Sequence, residues 1–302
     1  MNGILNLFKP SGITSFDAIR RLRRLTGEKK MGHLGTLDPM AEGVLPLFFG
    51  KYTKLIPHFN LEDKVYRAEV TLGASSTTLD KEGELTPCPL PPDLTPAQVE
   101  AALARFVGKI WQVPPMFSAI KIEGKRLYQL AREGKEVERE ARPVTLYSIT
   151  QIEIALPQVR FTVHCSKGTY IRTLAEDLGQ ALGTNAYLSA LCRTKVGSQF
   201  GEETAVNLDQ IENSVQSHLL MPFLNPVSLF SDWNRASTVS LAEVEGVKQG
   251  NPIVLTQERL LKDQEEEKKC LLLDPEQQLL ALGHLAFSQD GRLFFQPKKV
   301  LV

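Results

Sequence analysis

The chain reads as an α+β protein built in two parts. Three observations predict this: strands with apolar/polar alternation near residues 65–73 and 159–163, amphipathic helices with N-terminal caps at Thr14 and Thr95, and a change of composition near Leu224-Asn225-Pro226. Residues 1–224 are read as one mixed domain, with an insertion at about 105–145, and residues 225–302 as a small β-rich one.

Each element has its own local reason. In the first helix Thr14 is the N-cap with Asp17 three residues on, Ala18, Ile19, Leu22 and Leu25 form the buried side, and Gly27 is the stop. Arg20, Arg21, Arg23 and Arg24 fall mostly on its polar side, as a solvated face or a phosphate contact. In the strand after Val65, Tyr66, Ala68, Val70 and Leu72 share one face and Arg67, Glu69 and Thr71 the other. A proline-rich connection over residues 86–96 leads to a helix capped by Thr95, with Pro96 in its first turn, Gln98 closing a capping box, and Val99, Leu103 and Phe106 facing inward.

From Trp111 to Tyr128, aromatics interleave with Lys121, Lys125 and Arg126 around a turn at Glu123-Gly124, a composition suited to a protruding hairpin that grips nucleic acid. The strand carrying Val159, Phe161 and Val163 ends at Cys165-Ser166-Lys167-Gly168. The helix after it buries Ile171, Leu174, Ala175 and Leu178, which puts Tyr170 and Arg172 at a strand-to-helix junction. Past Pro226, apolar runs at 253–255, 270–273, 279–282 and 293–295 alternate with polar turns, and the charged run 262–269 is read as a solvated hairpin turn.

Composition narrows the function classes. No apolar run is long enough to span a bilayer and the first ten residues lack the pattern of a secretory signal, so the expected compartment is the cytosol. The four cysteines, Cys88, Cys165, Cys192 and Cys270, show neither metal-ligand nor disulfide spacing and are read as free thiols, with Cys165 in packing. Formal net charge is zero, yet residues 1–60 hold nine Lys/Arg against four Asp/Glu and residues 105–145 nine against five. A neutral total can hide a basic face. There is no P-loop or dinucleotide fingerprint.

The densest chemical signal is the run from Lys30 to Leu45, in which Asp38 sits among Gly32, Gly35 and Gly43, beside His33 and before Pro39. Glycines admit close backbone approach, and Pro39 keeps Asp38 out of helical geometry. A carboxylate presented this way can act as nucleophile or base. Taken alone, such a loop also fits an ordinary Asx turn.

Four stretches in order decide between these readings: Lys9-Pro10-Ser11-Gly12-Ile13-Thr14-Ser15, Gly32-His33 through Gly43-Val44-Leu45, Val113-Pro114-Pro115-Met116 through Lys125-Arg126-Leu127-Tyr128, and Cys165 through Thr173. Together they resemble the TruB-type tRNA pseudouridine synthases over residues 1–220, and the end of the chain is similar to a PUA domain. The resemblance implies a catalytic domain with a mainly antiparallel mixed β-sheet flanked by helices and loops. It also implies isomerisation of the T-loop uridine, position 55, of tRNA by a monomer without metal, nucleotide or redox cofactor.

The resemblance further implies Asp38 as the catalytic carboxylate, Arg172 as its partner, and Tyr66 as the ring that stacks on the flipped uracil. Tyr170 would shape the pocket, Leu191 would lie near the uracil, and His33 would contact RNA. Lys9 belongs to the same substrate-side group, with Pro10, beneath the loop. The chain departs from the pattern at Thr77, where an acid is usual in Ser76-Thr77-Thr78-Leu79-Asp80, and at Leu34, where a smaller residue is common. If that acid holds the arginine, Asp80 or another carboxylate must substitute, or Asp38 and Arg172 must suffice. A non-catalytic tRNA-binding protein of the same fold, and a hydrolase pairing Asp38 with Glu42, are the competing readings.

Overall fold

The structure, a computed structural model, describes residues 1–59, 63–118, 120–122, 124–217, 221–238, 240–262 and 268–301. Glu123 of the expected hairpin turn and residues 263–267 of the charged run lie outside the described residues.

Among the described residues, nine strands form one large sheet. They are β1 (Gly3–Lys9), β2 (Met31–His33), β3 (Glu42–Phe49), β4 (Lys64–Leu72), β5 (Gly108–Gln112), β6 (Arg142–Ala155), β7 (Gln158–Cys165), β8 (Ala186–Val196) and β9 (Phe200–Gly201). The spatial order is β1-β3-β8-β4-β7-β6-β5, with β2 also on β3 and β9 on β8. Every pairing is antiparallel except the short parallel contact of β8 with β3, where Cys192 faces Glu42 and Arg193 faces Gly43. This is the α+β, mainly antiparallel mixed sheet that the sequence led us to expect.

Helices α1 (Ser15–Thr26), α2 (Pro96–Arg105) and α3 (Ile171–Ala181) contribute apolar residues to the main core beside this sheet. The capping boxes at Thr14–Asp17 and Thr95–Gln98 both form, so the first backbone donors of α1 and α2 have side-chain partners. Arg21 on α1 is not simply solvated: its Nε donates to Glu212 at 2.6 Å.

Strands β1 and β3 read as continuous apolar runs because both of their faces are covered. Leu5, Leu7, Leu45, Leu47 and Phe49 enter the main core, whereas Ile4, Val44 and Phe48 enter a second one. The second core also holds Phe59, Phe200 and Phe230, with ring centroids 5.0–6.3 Å apart, and residues from Leu271 to Leu301 of the other sheet. Leu34 is fully buried there, so the larger residue in the loop has its own packing site.

The remaining sheet has six strands among the described residues, running from Asn234–Ser237 to Leu293–Val300. The apolar runs read from the sequence are four of them. Asn234–Ser237, the helix Leu241–Lys248 and Leu260–Lys262 were not anticipated. Within the insertion, Lys121–Ile122 pairs antiparallel with Lys125–Arg126, a hairpin in its backbone. No described helix is long and apolar enough to cross a membrane.

Candidate active site

The loop between β2 and β3 brings Asp38 to the N-terminus of α3. Its path is held from several sides. Leu37 N donates to Ser15 Oγ at 2.9 Å, Gly12 N to Pro39 O at 2.8 Å, and Ser11 Oγ to Met40 O at 2.8 Å. Lys9 is fully buried and its Nζ donates to the carbonyls of Ile13 at 2.7 Å, Pro10 at 2.8 Å and Pro39 at 3.4 Å. These three acceptors match the three donors of an ammonium. Lys9 thus lies under the loop, turned away from solvent, and burial brings its ammonium down to about 8.

Arg172, on the first turn of α3, meets Asp38 with Nε at 2.9 Å from Oδ2. The guanidinium is fixed elsewhere too: its two terminal nitrogens donate to Phe117 O at 2.7 Å and Thr78 O at 3.2 Å. Asp80 Oδ2 lies 3.7 Å from the same Nε. Thus the acid opposite Arg172 is Asp80, three residues beyond Thr77. Exposure separates the three roles: the Asp38 side chain is 35% exposed, while those of Arg172 and Asp80 are each 5% exposed. A ligand can reach Asp38 and not the pair behind it.

Burial pushes the Asp38 carboxyl above the usual carboxylate range; the Arg172 charge opposes this, and the Asp80 charge adds to it. The result is a carboxylate whose proton affinity depends on two fixed neighbours.

Tyr66, half-buried on β4, packs against the main core, and burial raises its hydroxyl; the nearby Asp38 charge acts in the same direction. Leu191 on β8 is buried in that core and pairs with Ala68, two residues along from Tyr66, so both side chains belong to one face of the sheet. Tyr170 is the N-cap residue of α3, and burial raises its hydroxyl as well. Its backbone is gripped by the buried Gln112, which accepts from Tyr170 N at 3.0 Å and donates to Tyr170 O at 3.2 Å. His33 ends β2; burial and the Arg193 charge lower its pKa, favouring the neutral ring.

Asp38 and Arg172 are therefore in direct contact, and Tyr66 and Tyr170 lie within the electrostatic reach of Asp38. Lys9 is also within the electrostatic reach of Asp38 and bonds the loop backbone at Pro39, whereas no direct contact joins His33 or Leu191 to Asp38 among the described residues. A groove of about 610 Å³ is lined by Ser11, Met40 and Glu42 together with Arg67, Glu69, Arg160 and Thr162, strand residues on the sheet face opposite Tyr66; Asp38, Tyr66, Tyr170 and Arg172 do not line it.

Sequence reasoning missed Gln112 and Arg193, and left Asp80 as one of several options. Gln112 directly precedes the Val113-Pro114-Pro115 motif, and Arg193 stands two residues after Leu191, hence on the same strand face; those positions were the available signals. Cys165 matches the packing role expected of it, since burial pushes its thiol up to about 12.

Comparison with known proteins gives the family of the chain. Residues 23–171 match the family model described as TruB family pseudouridylate synthase (N terminal domain), and residues 172–229 match that of the tRNA pseudouridylate synthase B C-terminal domain. The chain is 46% identical to tRNA pseudouridine synthase B of Syntrophomonas wolfei, covering 99% of this chain and 98% of that protein. It is 40% identical to the protein of the same name from Clostridium novyi, over 94% and 95%. Among solved structures, a chain of a Cbf5-Nop10-Gar1 complex shares the fold with a TM-score of 0.70 at 24% identity, covering 99% of this chain and 85% of that one. On these matches the chain belongs to the TruB family of pseudouridylate synthases.

Proposed function

We propose that the protein is a tRNA pseudouridine synthase that isomerises the T-loop uridine at position 55. The observation that carries this reading is the partly exposed Asp38 carboxylate held at 2.9 Å by the buried Arg172, in a chain of this family. The reaction breaks the N1–C1′ bond, turns the uracil over, joins C5 to C1′, moves a proton from C5 and restores one at N1. It is an isomerisation, so nothing is gained or lost overall. Asp38 supplies the charged group that assists cleavage, and Arg172 fixes its direction and opposes its protonation.

A uridine stacked in a folded loop has to be flipped out first, at a cost of roughly a few kcal/mol. Tyr66 offers a ring for the flipped base, with Leu191 on the same sheet face, and Tyr170 borders the other side of the arginine. His33 serves the surrounding RNA, while Lys9 acts from beneath by holding loop backbone. The T-arm of tRNA is the partner, the chain acts as a monomer in the cytoplasm, and residues 225–302 form a PUA-like RNA-binding domain joined to a catalytic domain of residues 1–224. Supporting the catalytic over the merely tRNA-binding reading, Asp80 stands by Arg172 where Thr77 had left a gap.

The test is incubation with an unmodified tRNA transcript followed by chemical mapping of pseudouridine. Product at position 55 with the wild type, and none with Asp38→Asn while tRNA binding persists, is the expected result. Binding should weaken with salt by about 0.7 to 0.9 log units per log unit for each phosphate neutralised. No product with the wild type, or full product with Asp38→Asn, overturns the reading.

A further inference from the structure

Helix α3 begins differently from α1 and α2. In those two a capping box uses the helix's own third residue to bind the N–H of the cap. Tyr170, the cap of α3, makes no side-chain cap, and the third residue, Thr173, donates its hydroxyl to Val113 O at 3.4 Å. The bond to the cap N–H comes instead from another strand. Gln112, the last residue of β5 and only 2% exposed, accepts from Tyr170 N at 3.0 Å and donates to Tyr170 O at 3.2 Å. A buried amide needs partners for both its oxygen and its nitrogen, and the N–H and C=O of one residue supply them together.

Gln112 also begins a strap that reaches the arginine. Val113-Pro114-Pro115-Met116-Phe117 follows it, with both prolines buried. Each proline fixes its own φ and holds the residue before it extended, so Val113 and Pro114 are stiff. At the end of the strap the Phe117 carbonyl accepts from a terminal nitrogen of Arg172 at 2.7 Å. Residues 112, 113 and 117 thus hold residues 170, 173 and 172 at the start of α3.

We infer that Gln112 is a positioning residue for Arg172: by fixing the root of the strap to the backbone of Tyr170 it sets where the Phe117 carbonyl stands, and that carbonyl aims the guanidinium at Asp38. The inference rests on the proposed function for its bearing on rate and on hydrogen-bond geometry alone for the tie. Phe117 O and Thr78 O take the two terminal nitrogens, which leaves Nε for the Asp38 carboxylate. Displacing the strap frees one corner of this planar fork, and Nε loses its fixed direction. Arg172 and Lys9 are the cations that act on Asp38, and Asp80 and Glu82 the anions; among the described residues only Arg172 of these four hydrogen-bonds the strap.

The test uses full-length protein ¹³C-labelled at the aspartate carboxyls, with the Asp38 resonance identified by its loss in Asp38→Asn. Gln112→Met removes both bonds, and Gln112→Asn, shorter by one methylene, is the second variant; both keep the site's charge unchanged. Each should melt cooperatively and bind tRNA within about threefold of wild type, yet slow single-turnover pseudouridine formation by roughly ten- to hundredfold. In the free protein the Asp38 titration should move to higher pH, as a loosened Arg172 opposes protonation less. A folded variant in which Asp38 titrates as in the wild type, or which reacts at the wild-type rate, overturns the inference. Loss of fold in both variants overturns it too, because Gln112 then holds the domain together and not the arginine. Absence of pseudouridine with the wild type overturns the functional reading instead, and the Asp38 titration, which needs no RNA, still decides the tie.

Discussion

The buried Asp80 carboxylate stands 3.7 Å from Nε of Arg172, the nitrogen that meets the more exposed Asp38 at 2.9 Å. Asp80 is itself anchored through its other oxygen, which accepts from Thr78 Oγ1 at 2.6 Å and from Glu82 N at 3.0 Å. One cation is thus shared between a fixed carboxylate and a reachable one, and three changes to this arrangement have distinct consequences.

Asp80→Asn keeps the acceptor atom and removes the charge. That charge raises the proton affinity of Asp38, so its loss lowers the Asp38 pKa. If the ionised form is the active one, the acid limb of the single-turnover pH–rate profile moves to lower pH. The plateau rate falls roughly ten- to hundredfold as Arg172 loses a fixed point. An acid limb displaced upward would contradict this assignment.

Arg172→Met strands Asp80 as a buried carboxylate without its cation, and removing one partner of a buried pair costs about 3–5 kcal/mol. Burial then acts on Asp38 without the opposing arginine, so its pKa in the folded chain rises further above the unfolded value. The folded chain binds the extra proton, and the instability is therefore greatest at high pH and relieved by acid. Urea unfolding at about pH 5 and about pH 8 reads the difference; equal losses at both would argue against the pairing.

Lys9→Met isolates the effect of the buried ammonium. Burial in the folded chain lowers it from the ordinary 10.5 to about 8. Between those values the unfolded chain binds more protons, so wild-type stability rises with pH across this window. The methionine variant lacks that slope, and the stability difference should move in favour of the wild type from about pH 8 to about pH 10.5. Parallel stability curves would show that the lysine is not held as described.

Much of the frame was visible in the sequence because near neighbours decide it. Thr14 with Asp17 and Thr95 with Gln98 cap their helices within one turn, and the alternation from Tyr66 to Leu72 needs only the strand itself. The resemblance placed Asp38, Tyr66 and Arg172 in one site, and the ion pair of Asp38 with Arg172 is present. By contrast, β1 and β3 lack alternation because a second core covers their other face, which depends on the sheet of residues 234–300.

The sequence by itself therefore determined the local elements, the α+β class, and the residue types able to carry the chemistry. Only the tertiary structure decided that Asp80 rather than Thr77 faces Arg172, that Gln112 grips Tyr170, and that the buried Arg193 donates to the Gly35 and Val44 carbonyls on either side of the Asp38 loop. Arg193 and Val44 are 149 residues apart in the chain, and Arg172 and Thr78 are 94. Side chains so distant in sequence share no periodicity or spacing that could reveal the pairing. Their partners are chosen by which strands lie side by side and by the requirement that every buried polar group find a hydrogen bond.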